Sequence, residues 1–282
     1  MKNIFQSITK IGLFISIIHI SCFNSFAQNK ISLDEDWRFH FGNSADPNKD
    51  FNYGNVLLFH KSNVYDTTIV NPKFIDSSWS KINVPHDWVV SLPFEKSDTH
   101  SMDSHGYKPV GAVYPETSIG WYRKHFTIDK SKINKRFELQ FDGIYRNAAI
   151  WINGFYVGTN FSGYLGNSYD VTDYMNFETE NVIVIRVDAT QNEGWFYEGA
   201  GIYRHVWINV TDKIFIPENG VYITTQLKDK TASVSIETTI ENSHLIPSNC
   251  TTYSYITDRN GKIITMNLRG ESLLAKLAEV VK

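Results

Sequence analysis

The stretch Ala149-Ile150-Trp151-Ile152-Asn153-Gly154-Phe155-Tyr156-Val157 decides the fold class. Two short runs of β-branched and aromatic residues flank Asn153-Gly154. An Asn-Gly pair between such runs is the strongest short-range signal for a two-residue hairpin turn. The stretch therefore predicts two antiparallel strands joined by a tight turn.

Similar runs lie on both sides of this hairpin and are separated by Gly, Asn, Asp and Pro rather than by helical segments. Residues 137–141 place three apolar side chains on one face, as a half-buried strand does. Residues 181–187 are nearly all apolar, which indicates a strand buried in the centre of a sheet. Further strands are predicted over 37–41, 121–128 and 202–210.

The order of these strands predicts an all-β protein of two units. Short strands with turns between them favour a jelly-roll (galactose-binding-like) β-sandwich over residues 28–213. The turn-rich segment 215–220 marks the boundary, and residues 214–282 are expected to form an incomplete immunoglobulin-like β-sandwich. About five strands fit there, including 221–225, 232–236 and 252–256, where roughly seven are usual. The tail is atypical, because residues 268–281 carry helix formers at helical spacing.

The composition is that of a globular chain. Of 282 residues, 42% are hydrophobic and 20% are charged, and the net charge is −3. This balance gives no electrostatic reason to expect nucleic acid as a partner. Aromatic residues reach 14%, and flat rings suit both strand packing and the apolar face of a sugar.

The first residues form a targeting segment. Two lysines precede an apolar run over 11–22, and Ser25-Phe26-Ala27 offers a cleavage site between small residues. We expect residues 1–27 to be a cleaved signal peptide and the chain to be secreted or periplasmic. Lipoprotein processing at Cys22 is the alternative. The apolar run is short for a bilayer, so no membrane span is predicted.

No metal or cofactor is predicted. Cleavage after Ala27 would leave Cys250 as the one remaining cysteine. That leaves no intramolecular disulfide and no cysteine-based metal cluster. The His and Asp residues elsewhere show no ligand spacing.

Seven segments, taken in order, resemble the N-terminal sugar-binding domain of glycoside hydrolase family 2, which includes β-galactosidases, β-glucuronidases and β-mannosidases. The resemblance extends from about residue 29 to residue 210. Its segments are Leu33-Asp34-Glu35-Asp36-Trp37-Arg38-Phe39, Phe74-Ile75-Asp76-Ser77-Ser78-Trp79, Val84-Pro85-His86-Asp87-Trp88, Gly120-Trp121-Tyr122-Arg123-Lys124, Phe141-Asp142-Gly143-Ile144-Tyr145-Arg146-Asn147-Ala148, Trp151-Ile152-Asn153-Gly154 and Gly199-Ala200-Gly201-Ile202-Tyr203-Arg204-His205-Val206-Trp207.

The resemblance implies a role in carbohydrate metabolism. In that family a (β/α)₈ barrel follows the sandwiches and supplies two glutamates that hydrolyse β-glycosides with retention. The barrel pattern is absent from this sequence, and no carboxylate pair fits retaining hydrolysis. We therefore expect an N-terminal fragment of a retaining β-galactosidase-like enzyme, without catalytic residues and inactive alone, that binds a β-linked saccharide. A free-standing carbohydrate-binding module is one alternative. A structural domain that docks to a separately encoded catalytic barrel is another.

The resemblance also indicates where sugar would bind. The equivalent of loop 188–201 touches the sugar in relatives, which often carry a carboxylate six residues before the second glycine of Gly199-Ala200-Gly201. This chain has Trp195 there. Glu193 or Trp195 is therefore predicted to contact sugar by hydrogen bond or ring stacking, and Tyr197 is a further candidate. The alternative is that the aromatic residues of the loop only pack against one another.

A second candidate segment contains Tyr107 and Lys108, whose counterparts in relatives lie near the same subsite. Either side chain is predicted to line the pocket rim, and Lys108 would favour a substrate with a sulfate or carboxylate group. A solvated loop is the alternative. His86-Asp87-Trp88 is interpreted as a structural turn, since no serine completes a catalytic triad. Arg204 is expected to hold the base of the loop.

Overall fold

The computed structural model describes residues 29–54, 68–95, 107–191, 197–228, 231–250, 255–257 and 262–266. Within these ranges the strands are β1 (Asn29–Ser32), β2 (Trp37–Phe41), β3 (Ser80–Ile82), β4 (Ile119–Phe126), β5 (Arg136–Phe141), β6 (Ala148–Ile152), β7 (Phe155–Asn160), β8 (Asn167–Asp170), β9 (Asn181–Asp188), β10 (Val206–Thr211), β11 (Ile214–Phe215), β12 (Val221–Lys228), β13 (Thr231–Thr238), β14 (Glu241–Asn242), β15 (Tyr255–Thr257) and β16 (Ile263–Met266). One short α-helix, α1 (Trp88–Ser91), and 3₁₀ turns at Lys130–Lys132 and Thr172–Tyr174 accompany them.

Two antiparallel sheets build the first unit. The larger has the order β3-β2-β4-β9-β6-β7, and the smaller has the order β1-β10-β5-β8. The predicted all-β sandwich is therefore confirmed. The hairpin β6–β7 turns through Asn153 (φ 52°) and Gly154 (φ 86°), and positive φ at both positions is what a two-residue type I′ turn requires.

Strand β9 lies in the centre of the larger sheet, between β4 and β6, as its apolar run predicts. Successive side chains of a strand point to opposite faces. Ile183, Ile185 and Val187 therefore pack against the smaller sheet, whereas Val182 and Val184 join Trp121 and Trp151 on the other face. Both faces of the larger sheet are thus covered around its central strands.

The outer cover of the larger sheet comes from the segments before β3. Ile69, Val70 and Trp79 pack on the outer face. Deeper in this layer Asp50 accepts hydrogen bonds from the Trp121 indole at 2.7 Å and from the Arg186 guanidinium at 2.8 Å. A buried charge without a partner is energetically costly. Asp50 therefore has to stay beside Trp121 and Arg186, and its bonds to them hold the outer segment that contains it in one position.

Arg123 of β4 is the most buried charge on the outer face, with no solvent exposure. Its Nε donates to the Asp76 carboxylate at 2.8 Å, and its two Nη atoms donate to the carbonyls of Ile69, Asn71 and Phe74. A planar guanidinium has five donors in a fixed fork. One side chain therefore ties residues 69–76 to the sheet.

In the described part of the chain after residue 213, the strands pair two by two. Strand β11 pairs with β14, β12 with β13, and β15 with β16. Apolar side chains of β12, such as Tyr222 and Ile223, are exposed, and the described part of this region contains no buried core of its own. The helix predicted over 268–281 and the signal peptide predicted over 1–27 lie outside the described residues.

One predicted strand begins later than expected. The strand predicted over 202–210 starts at Val206, and residues 200–202 instead hydrogen-bond to other loops, as described below. Of the strand predicted over 252–256, the described residues include the end, within β15 (Tyr255–Thr257). No helix in the described part of the chain is long and apolar enough to cross a membrane.

We predict that Arg123→Met lowers the free energy of unfolding by about 3 kcal/mol, because it leaves a carboxylate and three carbonyls without their buried donor. Urea unfolding measures the change. Arg204→Met is the matched control, since Arg204 is exposed, and it should stay within about 0.5 kcal/mol of the parent. Equal stability of the two variants would contradict the anchoring role of Arg123.

The Asp76 carboxyl predicts an acid dependence of stability. Burial raises its pKa, but hydrogen bonds from His125 and Arg123 outweigh burial and lower the pKa to about 2 from 3.8. The ionised group therefore stabilises the fold above pH 3.8, and this contribution disappears as the pH falls from 3.8 to about 2. It amounts to roughly 2 kcal/mol.

We expect the stability difference between the parent and Asp76→Asn to shrink over this pH window, as measured by urea unfolding at a series of pH values. Asp173→Asn is the control, because Asp173 is exposed. A difference that stays constant down to about pH 2 would show that Asp76 does not titrate there.

Candidate functional site

The candidate sugar site lies at the end of the sandwich where β4 and β6 begin and β9 ends. Loops from four parts of the chain meet there: residues 86–95, 107–118, 144–147 and 197–205. Backbone hydrogen bonds join them to the strands, as between Ala189 N and the Ser118 carbonyl at 2.9 Å. The strand ends therefore position these loops.

Asp87 connects two of these loops. Its Oδ1 accepts from Val89 N at 3.0 Å, which caps helix α1, and from Ala200 N at 2.9 Å. Its Oδ2 accepts from the Tyr197 hydroxyl at 2.6 Å. A half-buried carboxylate with three donors is a strong local anchor. We call this arrangement of Asp87, Tyr197 and Ala200 the Asp87 latch.

Backbone pairing reinforces the Asp87 latch. His86 N donates to the Ile202 carbonyl at 2.7 Å, and Trp88 N donates to the Ala200 carbonyl at 3.1 Å. On the other side Gly201 and Tyr145 exchange two hydrogen bonds, at 2.8 and 2.9 Å. The run 200–202 therefore lies between two other loop segments, much like a short central strand.

Glycine at position 201 is required by this close approach. Its φ is +122°, and a Cβ there would lie 2.4 Å from the Tyr122 hydroxyl and 2.5 Å from the His86 carbonyl oxygen. Gly199 has φ +69°, and a Cβ would lie 2.5 Å from Asp87 Oδ2. The tight turn expected of Gly199-Ala200-Gly201 is thereby confirmed.

The half-buried His86 and the fully buried Tyr122 support the latch from below. His86 Nδ1 lies 2.9 Å from the Tyr122 hydroxyl. Burial lowers the pKa of His86 and raises the pKa of Tyr122 well above its usual value. Both groups are therefore uncharged at neutral pH, which suits the apolar surroundings.

Glu198 adds a second carboxylate to the same end of the sandwich. Burial raises the pKa of Tyr145, Arg146 lowers it, and the negative charge of Glu198 raises it; the net effect is a raised pKa. Burial and the hydrogen bond to Asp87 likewise raise the pKa of Tyr197. Both phenols therefore stay protonated at neutral pH, with a carboxylate beside each.

The predicted sugar-binding residues are found in different surroundings. Tyr197 is 54% exposed and belongs to the Asp87 latch. Tyr107 is 48% exposed, and its carbonyl accepts from Glu95 N at 2.8 Å. Glu193 and Trp195 lie outside the described residues. Sugar contact by these four residues stays a prediction.

Lys108 occupies a buried position that its sequence context does not suggest. Its Nζ donates to the carbonyls of Val90 and Leu92, at 3.2 and 2.5 Å, and lies 4.1 Å from the centroid of the Phe94 ring. An ammonium group at the last carbonyls of a helix satisfies acceptors that have no partner in the helix. Lys108 thus holds the end of α1, and its predicted contact with sugar is an additional role that stays a prediction.

Asp87 is the residue that sequence reasoning missed. The sequence predicts a structural turn there, and Asp87 does cap α1, but it also holds the loop that contains Tyr197. An Asp directly before the apolar run Trp88-Val89-Val90 is a helix-start signal and could have identified the cap. Nothing local to Asp87 indicates Ala200, which is 113 residues away.

The base of the loop is held by Asp34 rather than by Arg204. Asp34 Oδ1 accepts from Val206 N at 2.9 Å, and Oδ2 lies 2.8 Å from His205 Nδ1. Arg204 is exposed and makes no hydrogen bond within the part of the chain that the structure describes. The predicted anchoring role of Arg204 is therefore not met among the described residues.

Comparisons with known proteins agree with this geometry. The profile of the family described as "Glycosyl hydrolases family 2, sugar binding domain" matches residues 66–211, more than half of the chain. A jelly-roll-like sandwich with its loops gathered at one end is thus matched by the sequence profile of a sugar-binding domain. The chain belongs to glycosyl hydrolase family 2.

Individual relatives in this family are named glycosidases. The chain is 32% identical over 237 residues to the β-galactosidase BoGH2A of Bacteroides ovatus, a match of 83% of this chain and 24% of the relative. It is 28% identical over 236 residues to a β-glucuronidase of Formosa agariphila, covering 76% of this chain and 23% of the relative. Among solved structures, a β-glycosidase from Bacteroides vulgatus matches with TM-score 0.65 and 28% identity, over 84% of this chain and 27% of that protein.

These matches cover only part of the relatives. The chain spans about a quarter of the length of the curated proteins it resembles. The likeness therefore concerns one portion of each glycosidase.

We predict that Asp87→Ala accelerates hydrogen exchange at the amides of Val89 and Ala200 by roughly tenfold, because both lose their acceptor. Exchange measured by NMR tests this. Asp129→Ala is the matched control, since Asp129 accepts from Ser131 N at 2.8 Å in a distant turn. Unchanged exchange at Ala200 in Asp87→Ala would show that the Asp87 latch does not hold the loop.

Proposed function

We propose that this chain is the sugar-binding portion of a β-galactosidase-like retaining glycoside hydrolase and contributes no catalytic residue itself. The observation that carries the proposal is the Asp87 latch, which holds a partly exposed tyrosine at the loop end of a domain of this family. The names of the relatives support a β-linked saccharide as ligand and hydrolysis of O-glycosyl bonds as the activity of the whole protein.

The loop end offers the polar groups that a sugar needs. The Tyr197 hydroxyl donates its proton to Asp87, so its lone pairs remain to accept from a sugar hydroxyl. The pKa of Tyr197 is raised. The hydroxyl therefore keeps its proton at neutral pH and can donate the hydrogen bond to Asp87. Its exposed ring also suits the apolar C–H face of a pyranose.

Bond cleavage requires groups of another kind. Retaining hydrolysis uses two carboxyl groups about 5 Å apart on either side of the glycosidic bond. Asp87 is already engaged by three donors, which suits a positioning role better than nucleophilic attack. We assign catalysis to parts of the relatives outside the matched region, on the same polypeptide or on a separately encoded catalytic barrel.

We also propose that the protein is exported. The apolar run over 11–22 and the small residues before Gln28 support a cleaved signal peptide. Secretion or transfer to a periplasm would bring the protein to external saccharides. Lipoprotein attachment through Cys22 is the alternative route.

Calorimetric titration of the chain with galactose, glucuronate and mannose tests sugar binding. We expect weak binding of at least one sugar, and a roughly three- to tenfold loss in Tyr197→Phe, because one hydrogen bond is removed. Tyr222→Phe is the matched control, as Tyr222 is exposed on β12. Equal affinities of all three proteins would contradict the role of Tyr197. Tight binding without any further domain would favour the free-standing module.

We predict that the purified chain does not hydrolyse nitrophenyl β-galactoside. Release of nitrophenol is the measurement, with Glu193→Gln as the comparison, because Glu193 is the carboxylate predicted to contact sugar in loop 188–201. Turnover by the parent would overturn the assignment of catalysis to other parts of the enzyme. Loss of that turnover in Glu193→Gln would identify Glu193 as catalytic.

A further inference from the structure

A groove on the outer face of the larger sheet is not explained by the proposed function. It measures about 440 Å³ and is lined by six charged or titratable side chains, those of Asp36, Arg38, Asp76, Lys81, His125 and Glu180. This volume is within the usual range for small-molecule sites. A lining this polar suits a hydrophilic ligand.

The groove lies away from the Asp87 latch. Trp88, next to the latch, packs at Gly120 near the start of β4, whereas His125 is near the end of that strand. Five residues of extended strand separate the two positions by roughly 16 Å. The groove is therefore a separate site on the other half of the sheet.

Three cations stand in a row across this face. Arg38 of β2 is directly opposite Lys81 of β3 and directly opposite Arg123 of β4. Opposite residues of antiparallel strands share a face, and like charges there are destabilising. Negative charge must therefore come from elsewhere if the row is to be neutralised.

Two nearby carboxylates are already engaged. Asp76 Oδ2 accepts from Arg123 Nε at 2.8 Å and lies 2.7 Å from His125 Nε2. Glu180 Oε2 lies 2.7 Å from His125 Nδ1. The hydrogen bond to Asp76 raises the pKa of His125 despite burial, and Glu180 adds to the effect. Asp76 and Glu180 are thus balanced mainly by Arg123 and the His125 imidazolium.

Within the described ranges, Arg38 and Lys81 form no such ion pair, and the third carboxylate of the lining, that of Asp36, is not paired with either of them. Among the residues that the structure describes, neither side chain has a hydrogen bond or an ion pair. Arg38 is half-buried and Lys81 is exposed. A guanidinium fork binds planar anions through two parallel hydrogen bonds, and an ammonium adds a point charge. Together they form a receptor for one anionic group.

We propose that this groove binds a saccharide unit that carries a carboxylate or sulfate group, with Arg38 and Lys81 holding the anion. Asp36 and Glu180 at the exposed rim accept hydrogen bonds from sugar hydroxyls. That the ligand carries a negative charge is inferred from the row of cations alone. That the ligand is a saccharide rests on the proposed function. The ligand relieves the repulsion between the opposed cations when it binds.

Calorimetric titration of the whole chain with glucuronate, galactose 6-sulfate and neutral galactose tests the groove. We expect the two anionic sugars to bind about tenfold more tightly than galactose, and this preference to fade as the salt concentration rises. Arg38→Gln and Lys81→Gln should each abolish the preference. Arg38→Lys should restore part of it, because the charge returns without the fork.

Two comparisons separate this inference from the proposed function. Lys49→Gln is the matched control, because Lys49 is an exposed cation near the start of β4 whose pairing with Glu116 spans 3.8 Å, and it should keep the preference for anionic sugars. Tyr197→Phe should also keep it, since the latch is a different site. If the preference for anionic sugars survives in Arg38→Gln but is lost in Tyr197→Phe, the groove is not the binding site for the anion. The proposed function would remain intact in that case.

Competition identifies the ligand class. Inorganic sulfate should bind more weakly than galactose 6-sulfate, because it cannot use Asp36 and Glu180. Equal affinity for inorganic sulfate would overturn the saccharide assignment. Thermal melting of each variant, compared with that of Lys49→Gln, separates loss of binding from loss of fold.

Discussion

The centre of the larger sheet is buried on both faces, and this constraint governs the rest of the structure. A strand there, such as β9, needs apolar side chains on both of its faces, and a charge buried against it must be paired. The outer face meets this demand with two buried guanidinium groups, Arg123 with Asp76 and Arg186 with Asp50. Each ion pair also fastens a segment that has little regular secondary structure, since loops covering a sheet carry polar backbone groups that need partners.

The same sheet also determines where the loops of the candidate sugar site lie. Where β4 and β6 begin and β9 ends, four loop segments meet and share hydrogen bonds. Gly201 allows its loop to approach loop 86–95 and strand β4 closely, because a side chain there would overlap the His86 carbonyl oxygen and the Tyr122 hydroxyl. The Asp87 latch then adds a carboxylate to a position already set by backbone pairing. Such an arrangement holds the exposed Tyr197 side chain in one position before any ligand binds. Less conformational entropy is then lost on binding.

The charged side chains serve two different purposes in this domain. Arg123 and Lys108 are engaged by protein acceptors, so their charges hold the fold together. Arg38 and Lys81 have no such partners among the described residues, although they lie beside Arg123 in the same row. The difference follows from the position of the carboxylates, because Asp76 approaches β4 from the outer cover and contacts Arg123 and His125 but forms no ion pair with Arg38 or Lys81. Anion binding at the surface of the sheet, as proposed, thus depends on which cations form no ion pair with the covering loops.

The sequence by itself determined the strands, the hairpin at Asn153-Gly154, the central position of β9 and the family, because these depend on periodicity and on residues close together in the chain. It also marked the loop that contains Tyr197. Only the tertiary structure decided that Asp87 holds that loop, that Lys108 ends α1, and that Asp76 pairs with Arg123. These contacts join residues 113, 16 and 47 positions apart. Which residues become partners depends on how the loops pack on the folded sheet, and a local sequence pattern contains no information about that packing.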